Sequence, residues 1–245
     1  MVGIDVSEIG PNPIPIVLTG TIIPNAIKTV HCDWKKRRSE YLHSISYYKK
    51  FSKVYFLENS HYDLSNDNEF SNDERFQYYQ FAVSKGYEKG KGYQEFQMLD
   101  EFVKHRLDED CFLKVTGRYI YDNFDEIYAF IHRNRHKNDL IIDSFFQFKK
   151  AITSLFFIKK DIYLLRLQDC YLNMDDSKDL WAEHIVYNAL KNIRCYTFFP
   201  KVFLLSGISG STGYQYRVNE KSAKIKIKNL QRKVFSVFGI KQLLR

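Results

Sequence analysis

The chain has 245 residues, 44% of them apolar, which is enough for one large α/β domain or two small ones around a substantial core. Its formal charge is +8, yet residues 221–245 hold eight Lys and Arg and no acid, so the excess sits in that segment and the preceding chain is electrically balanced. A balanced body argues against a nucleic-acid-binding stripe across the fold, and no apolar stretch approaches the about 20 residues of a membrane-spanning helix.

Asp5, Glu8 and the early prolines break the pattern of a secretory leader. Cys32, Cys111, Cys170 and Cys195 are widely spaced, with no zinc-site arrangement, and read as reduced thiols of a cytoplasmic protein. The 20 Phe and 18 Tyr fit either a deep core or stacking surfaces for sugars or bases.

In chain order, "IPIVLTGTIIP" (14–24) predicts an opening core strand between prolines. Residues 35–51 place Tyr41, Leu42, Ile45 and Tyr48 at helical intervals, and 53–60 form a second buried strand. This β-α-β rhythm predicts a mostly parallel sheet with right-handed crossovers. The Asn-, Asp- and Ser-rich stretch 61–80 reads as a loop. Gly86, Gly90 and Gly92 precede a helical stripe of Phe96, Leu99, Phe102 and Val103, and 111–116 is the next strand. Further strands are predicted at 138–148 and 161–167, a helix at 177–193, and a strand running into "SGISGSTG" within 195–213. With no repeat or linker signal, residues 1–220 read as one α/β domain of Rossmann type and 221–245 as an appended basic element.

Ligands of open α/β sheets bind beyond the carboxyl ends of the strands. Those ends carry Glu58-Asn59-Ser60 and Thr116-Gly117-Arg118. Glu58 suits ribose or base hydrogen bonds and Arg118 suits a phosphate, although helix capping and a surface ion pair account for the same residues. The glycine-lysine loop would bring backbone N–H groups and Lys91 to a phosphate, but it matches neither the Walker nor the dinucleotide spacing.

The order "RRSEYLHSISYYKKFSKVYFLENS", "GKGYQEFQMLDEFV", "FLKVTGRYIYDN", "WAEHIVYNAL" and "GISGSTG" resembles a group of bacterial cell-surface polysaccharide glycosyltransferases, of the kind found with O-antigen, lipooligosaccharide or capsule genes. The resemblance spans roughly residues 14–214, and K-[IV]-T-G-R together with G-K-G-Y-x-E is its most specific part. It implies a GT-A-like domain binding a nucleotide sugar. Donor contacts are then expected from Thr19, Gly20, Arg38, Glu58, Asn59, Ser60, Lys91, Gly92, Tyr93, Glu95, Lys114, Thr116, Gly117, Arg118, Ser209, Ser211 and Thr212. The Asp-x-Asp metal motif usual in GT-A enzymes is replaced at the comparable strand end by Thr116-Gly117-Arg118. Arg118, aided by Lys91 or Lys114, would stabilise the departing nucleotide in place of a metal. Asp108-Glu109-Asp110 and Asp175-Asp176 leave Mg²⁺ or Mn²⁺ open, while also suiting helix caps or water.

Inverting transfer needs a general base, and Glu183, His184 and Asp143 are the candidates; His184 also fits a satisfied core position. The serine-rich loop 206–213 reads as a lid or as a passive connection. In the tail, Ile227, Leu230, Val234, Val237 and Phe238 fall near helical spacing among cations, which suits an anionic membrane surface, although Lys224–Lys228 also alternates as an edge strand would. The reading is a cytoplasmic glycosyltransferase on the inner membrane face, acting on a saccharide, lipid-linked acceptor. A nucleic-acid-binding module and a catalytically inactive sugar-binding relative are the alternatives.

Overall fold

The computed structural model describes residues 13–65, 73–190, 193–216 and 222–243. In chain order it contains β1 (Ile16–Gly20), α1 (Trp34–Tyr48), β2 (Val54–Glu58), β3 (Phe76–Gln80), α2 (Lys91–His105), β4 (Cys111–Thr116), β5 (Ile120–Tyr121), α3 (Phe124–Asn134), β6 (Leu140–Phe145), β7 (Lys150–Lys159), α4 (Lys160–Arg166), α5 (Ala182–Leu190), β8 (Tyr196–Thr197), β9 (Leu205–Ile208), β10 (Gln215–Tyr216) and α6 (Ala223–Val237). Seven strands form the central sheet in the order β3-β2-β1-β4-β7-β6-β8. The run from β3 to β4 is parallel, β7 is antiparallel to both its neighbours, and β8 is parallel to β6. This is the α/β, mostly parallel architecture expected from the sequence.

Every residue of β1 and β2 is buried, because helices cover both faces of the sheet. The two-residue period of a strand divides the core accordingly. Val17, Tyr55 and Leu57 face a cluster with Phe96, Leu99 and Phe102 of α2 and Val186 of α5. Ile16, Leu18, Val54 and Phe56 face Tyr41, Ile45 and Tyr48 of α1 and Ile127 and Ile131 of α3. Asp33 caps α1, accepting from the backbone N–H groups of Lys35 and Lys36.

Three stretches depart from the sequence reading. The expected loop 61–80 ends in β3, a parallel edge strand pairing with β2. The predicted strand 161–167 is helix α4 instead. Its apolar run has no pairing partner left, since the ten-residue β7 just before it fills the gap between β4 and β6; Tyr163 packs inward with its hydroxyl on Asp100, while Leu165 is exposed. The tail is a helix, not an edge strand.

Helix α6 packs on the body through Ile225 and Arg232, both buried. Arg232 donates to both carboxylate oxygens of Asp143 at 3.0 and 2.7 Å and to the Phe199 carbonyl at 2.7 Å. After the helix, the Leu243 N–H donates to the Ser144 carbonyl at 2.7 Å, tying the chain to the end of β6. No helix among the described residues is long and apolar enough to cross a membrane.

Candidate active site

A cavity of about 530 Å³ opens at the carboxyl ends of β1 and β4. Because β7 runs antiparallel, its first residues lie at that same edge, so Lys150, Thr153 and Ser154 join Thr19, Gly20, Thr116 and Arg118 in the lining. Lys91, Gly92 and Glu95 enter from the first turn of α2, and Trp181 and Glu183 from the start of α5. The turn between β9 and β10 supplies Gly210, Ser211 and Thr212, while α1 supplies Arg37 and Tyr41.

The two most specific sequence motifs meet on the cavity floor. Lys114, fully buried, places its ammonium 2.6 Å from the Glu95 carboxylate and donates to Thr116 Oγ1 at 3.0 Å and the Thr153 carbonyl at 2.7 Å. Glu95 also accepts from the hydroxyls of Thr19 and Thr116. Burial pushes the Lys114 ammonium below the ordinary lysine range, with Glu95 pulling the other way. Lys114 therefore neutralises Glu95 beneath the cavity instead of reaching a ligand, a correction to its expected role.

Glycines let the walls approach. A Cβ on Gly92 would stand 2.9 Å from Ala182 Cβ, so this glycine brings α5 against α2. Gly90, at φ +95°, leaves room for Asp176, whose carboxylate accepts from the Lys91 N–H at 3.0 Å. That bond occupies the amide expected to meet a phosphate, while Lys91 itself lines the cavity. Its ammonium reaches across to the Lys28 carbonyl at 2.9 Å and Ser211 Oγ at 2.6 Å. Burial, followed by the nearby Arg37 and Arg118, lowers the Lys91 pKa.

Arg118 already has partners. Its Nη1 donates to Glu40 at 3.1 Å and to the Ile208 carbonyl at 3.0 Å, and a Cβ on Gly210 would lie 2.7 Å from its Nη2. It thus fixes the turn that carries Ser211 while lining the cavity. Arg37 donates to the carbonyls of Ile22 and His31 at 3.2 and 3.1 Å, and burial lowers its pKa.

Of the residues expected to form the site, the fold brings together Thr19, Gly20, Lys91, Gly92, Glu95, Thr116, Arg118, Glu183, Ser211 and Thr212. The others do not line the cavity. Glu58 is fully buried and accepts from the N–H groups of Ile22 and Ser60 and from Ser60 Oγ; burial raises its pKa. Asn59 accepts from Thr21 Oγ1 at 2.6 Å, and Ser60 Oγ accepts from the Ile23 N–H at 3.2 Å. These three residues brace the turn after β1 instead of facing the cavity. Arg38 is replaced in the lining by Arg37, which α1 turns inward. Tyr93 belongs to the core, Gly117 seals the seam with a Cβ position 2.9 Å from the Thr19 carbonyl, and the Ser209 hydroxyl accepts from the Thr212 N–H to shape the turn. His184 Nδ1 contacts the Lys149 carbonyl at 2.9 Å, and Asp143 is held by Arg232.

No group of three His, Cys, Asp or Glu among the described residues is arranged to hold a metal ion. Asp108-Glu109-Asp110 precedes β4, at the opposite end of that strand from the cavity, and Glu109 accepts from the Tyr55 hydroxyl. Asp175 is held at about 2 by Ser177 and Lys178. Sequence reading did not anticipate Lys28, Arg37, Tyr41, Lys150, Thr153, Ser154 or Trp181. For Arg37 the signal was present, since it lies four residues before Tyr41 on the inward face of α1.

No protein-family model matches the sequence, and no curated protein matches it. Solved structures do resemble it. The galactosyltransferase LgtC in complex with donor and acceptor sugar analogs matches with a TM-score of 0.46 and 10% identity, over 75% of this chain and 73% of that one. The glycosyltransferase GlyE of Streptococcus pneumoniae TIGR4 matches at 0.46 and 13%, over 77% and 45%. A Bacillus anthracis protein in complex with a sucrose, assigned as a glucose-1-phosphate thymidylyltransferase, matches at 0.44 and 12%, over 80% and 89%. These are distant likenesses of overall form.

Proposed function

We propose that this chain is a glycosyltransferase that moves a sugar from a nucleotide-activated donor to a saccharide acceptor in bacterial surface polysaccharide synthesis. The observation that carries the proposal is the unequal charge of the cavity walls. Lys28, Arg37, Lys91 and Arg118 line it, whereas Glu183, at the start of α5, makes no hydrogen bond or ion pair with any described residue. Cations suit the phosphates of a nucleotide donor, and a carboxylate that is neither hydrogen-bonded nor ion-paired, feeling only the longer-range pull of the buried Lys114, suits a general base.

In the proposed step the acceptor hydroxyl oxygen attacks the anomeric carbon and its proton passes to Glu183. The bond from that carbon to the donor phosphate oxygen breaks, and its electron pair leaves with the nucleotide. Arg118 and the ammonium of Lys91 meet the charge that develops on the leaving group. Glu183→Gln is expected to lower kcat by about 100- to 10,000-fold with the donor KM little changed. Steady-state kinetics check this, and wild-type turnover by the variant would remove Glu183 from the role of base.

The proposal includes an inner-leaflet location with a lipid-linked acceptor. Supporting it, Ile227, Leu230, Val234 and Val237 recur at helical spacing on α6 and are exposed, Val237 by 82%, with Lys224, Lys226 and Lys233 on the same helix. Such a surface suits an anionic membrane, with apolar side chains at the acyl boundary and cations at headgroups.

A further inference from the structure

Resting on the glycosyltransferase reading, we infer that the acceptor is an acidic saccharide, one whose accepting pyranose carries a carboxylate or a phosphate. The sheet order β1-β4-β7 places two walls on either side of β4. The β1 side, with α1 and the β9–β10 turn, holds Arg37 and Arg118, and Lys91 reaches that turn through Ser211. The β7 side holds a different set: Lys150, Trp181 and Glu183.

Trp181 is 37% exposed and lines the cavity, and the Lys150 ammonium lies 4.6 Å from its ring centroid. Lys150 forms no ion pair with any described carboxylate, although Glu183 lines the same cavity. His184 is drawn to the Lys149 carbonyl, which fixes the turn preceding Lys150 against the start of α5 and holds this pair together. An indole ring offers an apolar face to the C–H groups of a pyranose. An ammonium beside it adds little for a neutral sugar, but it gives an anionic substituent a charge-assisted hydrogen bond. Glu183 lines the same cavity from the first turn of α5, so a sugar held on Trp181 shares that cavity with the proposed base. The nucleotide phosphates have their own cations across β4, which leaves Lys150 for the acceptor.

The chain has two tryptophans, Trp34 and Trp181, so Trp34→Phe makes Trp181 the sole indole. Trp34 packs on Tyr62 outside the cavity lining. Indole fluorescence in this variant would be titrated with octyl β-glucoside, octyl β-glucuronide and octyl β-glucoside 6-phosphate. Either or both acidic glycosides are expected to bind about ten- to a hundredfold more tightly than the neutral one, and their ranking tells carboxylate from phosphate. Lys150→Met should remove that preference and leave the affinity for octyl β-glucoside in place, while Lys150→Arg should keep it. Equal binding of all three glycosides, no fluorescence response to any, or a preference that survives Lys150→Met overturns the inference. The rise in melting temperature caused by nucleotides, measured on the same proteins, reads the donor site separately. It should be unchanged by Lys150→Met; a loss there would reassign Lys150 to the donor and overturn the acceptor role, whereas no nucleotide response in any protein would count against the glycosyltransferase reading itself.

Discussion

Glu95→Gln is expected to lower the melting temperature by about 6–20 °C, the consequence of a loss of about 3–5 kcal/mol when a buried ion pair is left with one charged member. The cost falls on Lys114, which is wholly buried and whose other two partners, the Thr116 hydroxyl and the Thr153 carbonyl, are neutral. The penalty has a definite pH dependence. Lys114 has a folded pKa below its unfolded one, so the folded state binds fewer protons between the two values and stability rises with pH through that interval. Removing Glu95 takes away the larger of the two carboxylate influences that oppose desolvation, Glu183 being the other, and extends the interval downward. The difference between variant and wild type should therefore be greatest near neutral pH and shrink as pH approaches the ordinary lysine value of about 10.4. Denaturant midpoints at several pH values check this; a penalty that does not change with pH would mean that Lys114 is not the group left exposed to its own charge. Lys114→Met combined with Glu95→Gln should regain most of the stability, since the desolvated charge is gone as well.

Opposite faces of α6 should give opposite phenotypes. Arg232→Ala leaves the Asp143 carboxylate, 1% exposed, with the Phe199 N–H as its remaining hydrogen-bond donor, and should also cost about 3–5 kcal/mol. On the outer face, replacing Leu230, Val237 and Phe238 together with Ser should leave the melting temperature within a few degrees, because all three are exposed. Vesicle binding should fall by at least about a hundredfold, as each side chain withdrawn from the acyl boundary forfeits about 1.5–3 kcal/mol. Co-sedimentation with vesicles rich in phosphatidylserine measures it. Unchanged binding by the triple variant would remove α6 from the membrane role.

The sequence carried the α/β architecture because its buried strands are uninterrupted apolar runs and its helices are periodic; β1, β2, β4 and α1 fall close to where those patterns place them. It left β7 unassigned and read α4 as a strand because a short apolar run has the same composition in either state, and the deciding factor was β7 pairing with its sequence neighbour β6 and with β4, about 40 residues earlier in the chain. Within the site, the motif residues were visible, but their division of labour was not. Glu58, Asn59 and Ser60 look like ligands from their position at a strand end, yet their hydrogen bonds run to the turn after β1. Lys114 and Glu95 lie 19 residues apart and Asp143 and Arg232 89 apart, pairings that only the folded chain shows. The β7 wall was hidden for the same reason: nothing local marks Lys150 as the neighbour of Trp181.

The central claim is that the cavity between β1, β4 and β7 holds a nucleotide-activated sugar, and nucleotide-linked thermal stabilisation tests it most directly. Melting curves with UDP, GDP, dTDP or CMP, each with and without Mg²⁺ or Mn²⁺, should show a rise of about 5–10 °C for at least one nucleotide at roughly a hundred times its Kd. Arg118→Ala should abolish that rise. No shift with any nucleotide under any of these conditions would contradict the account.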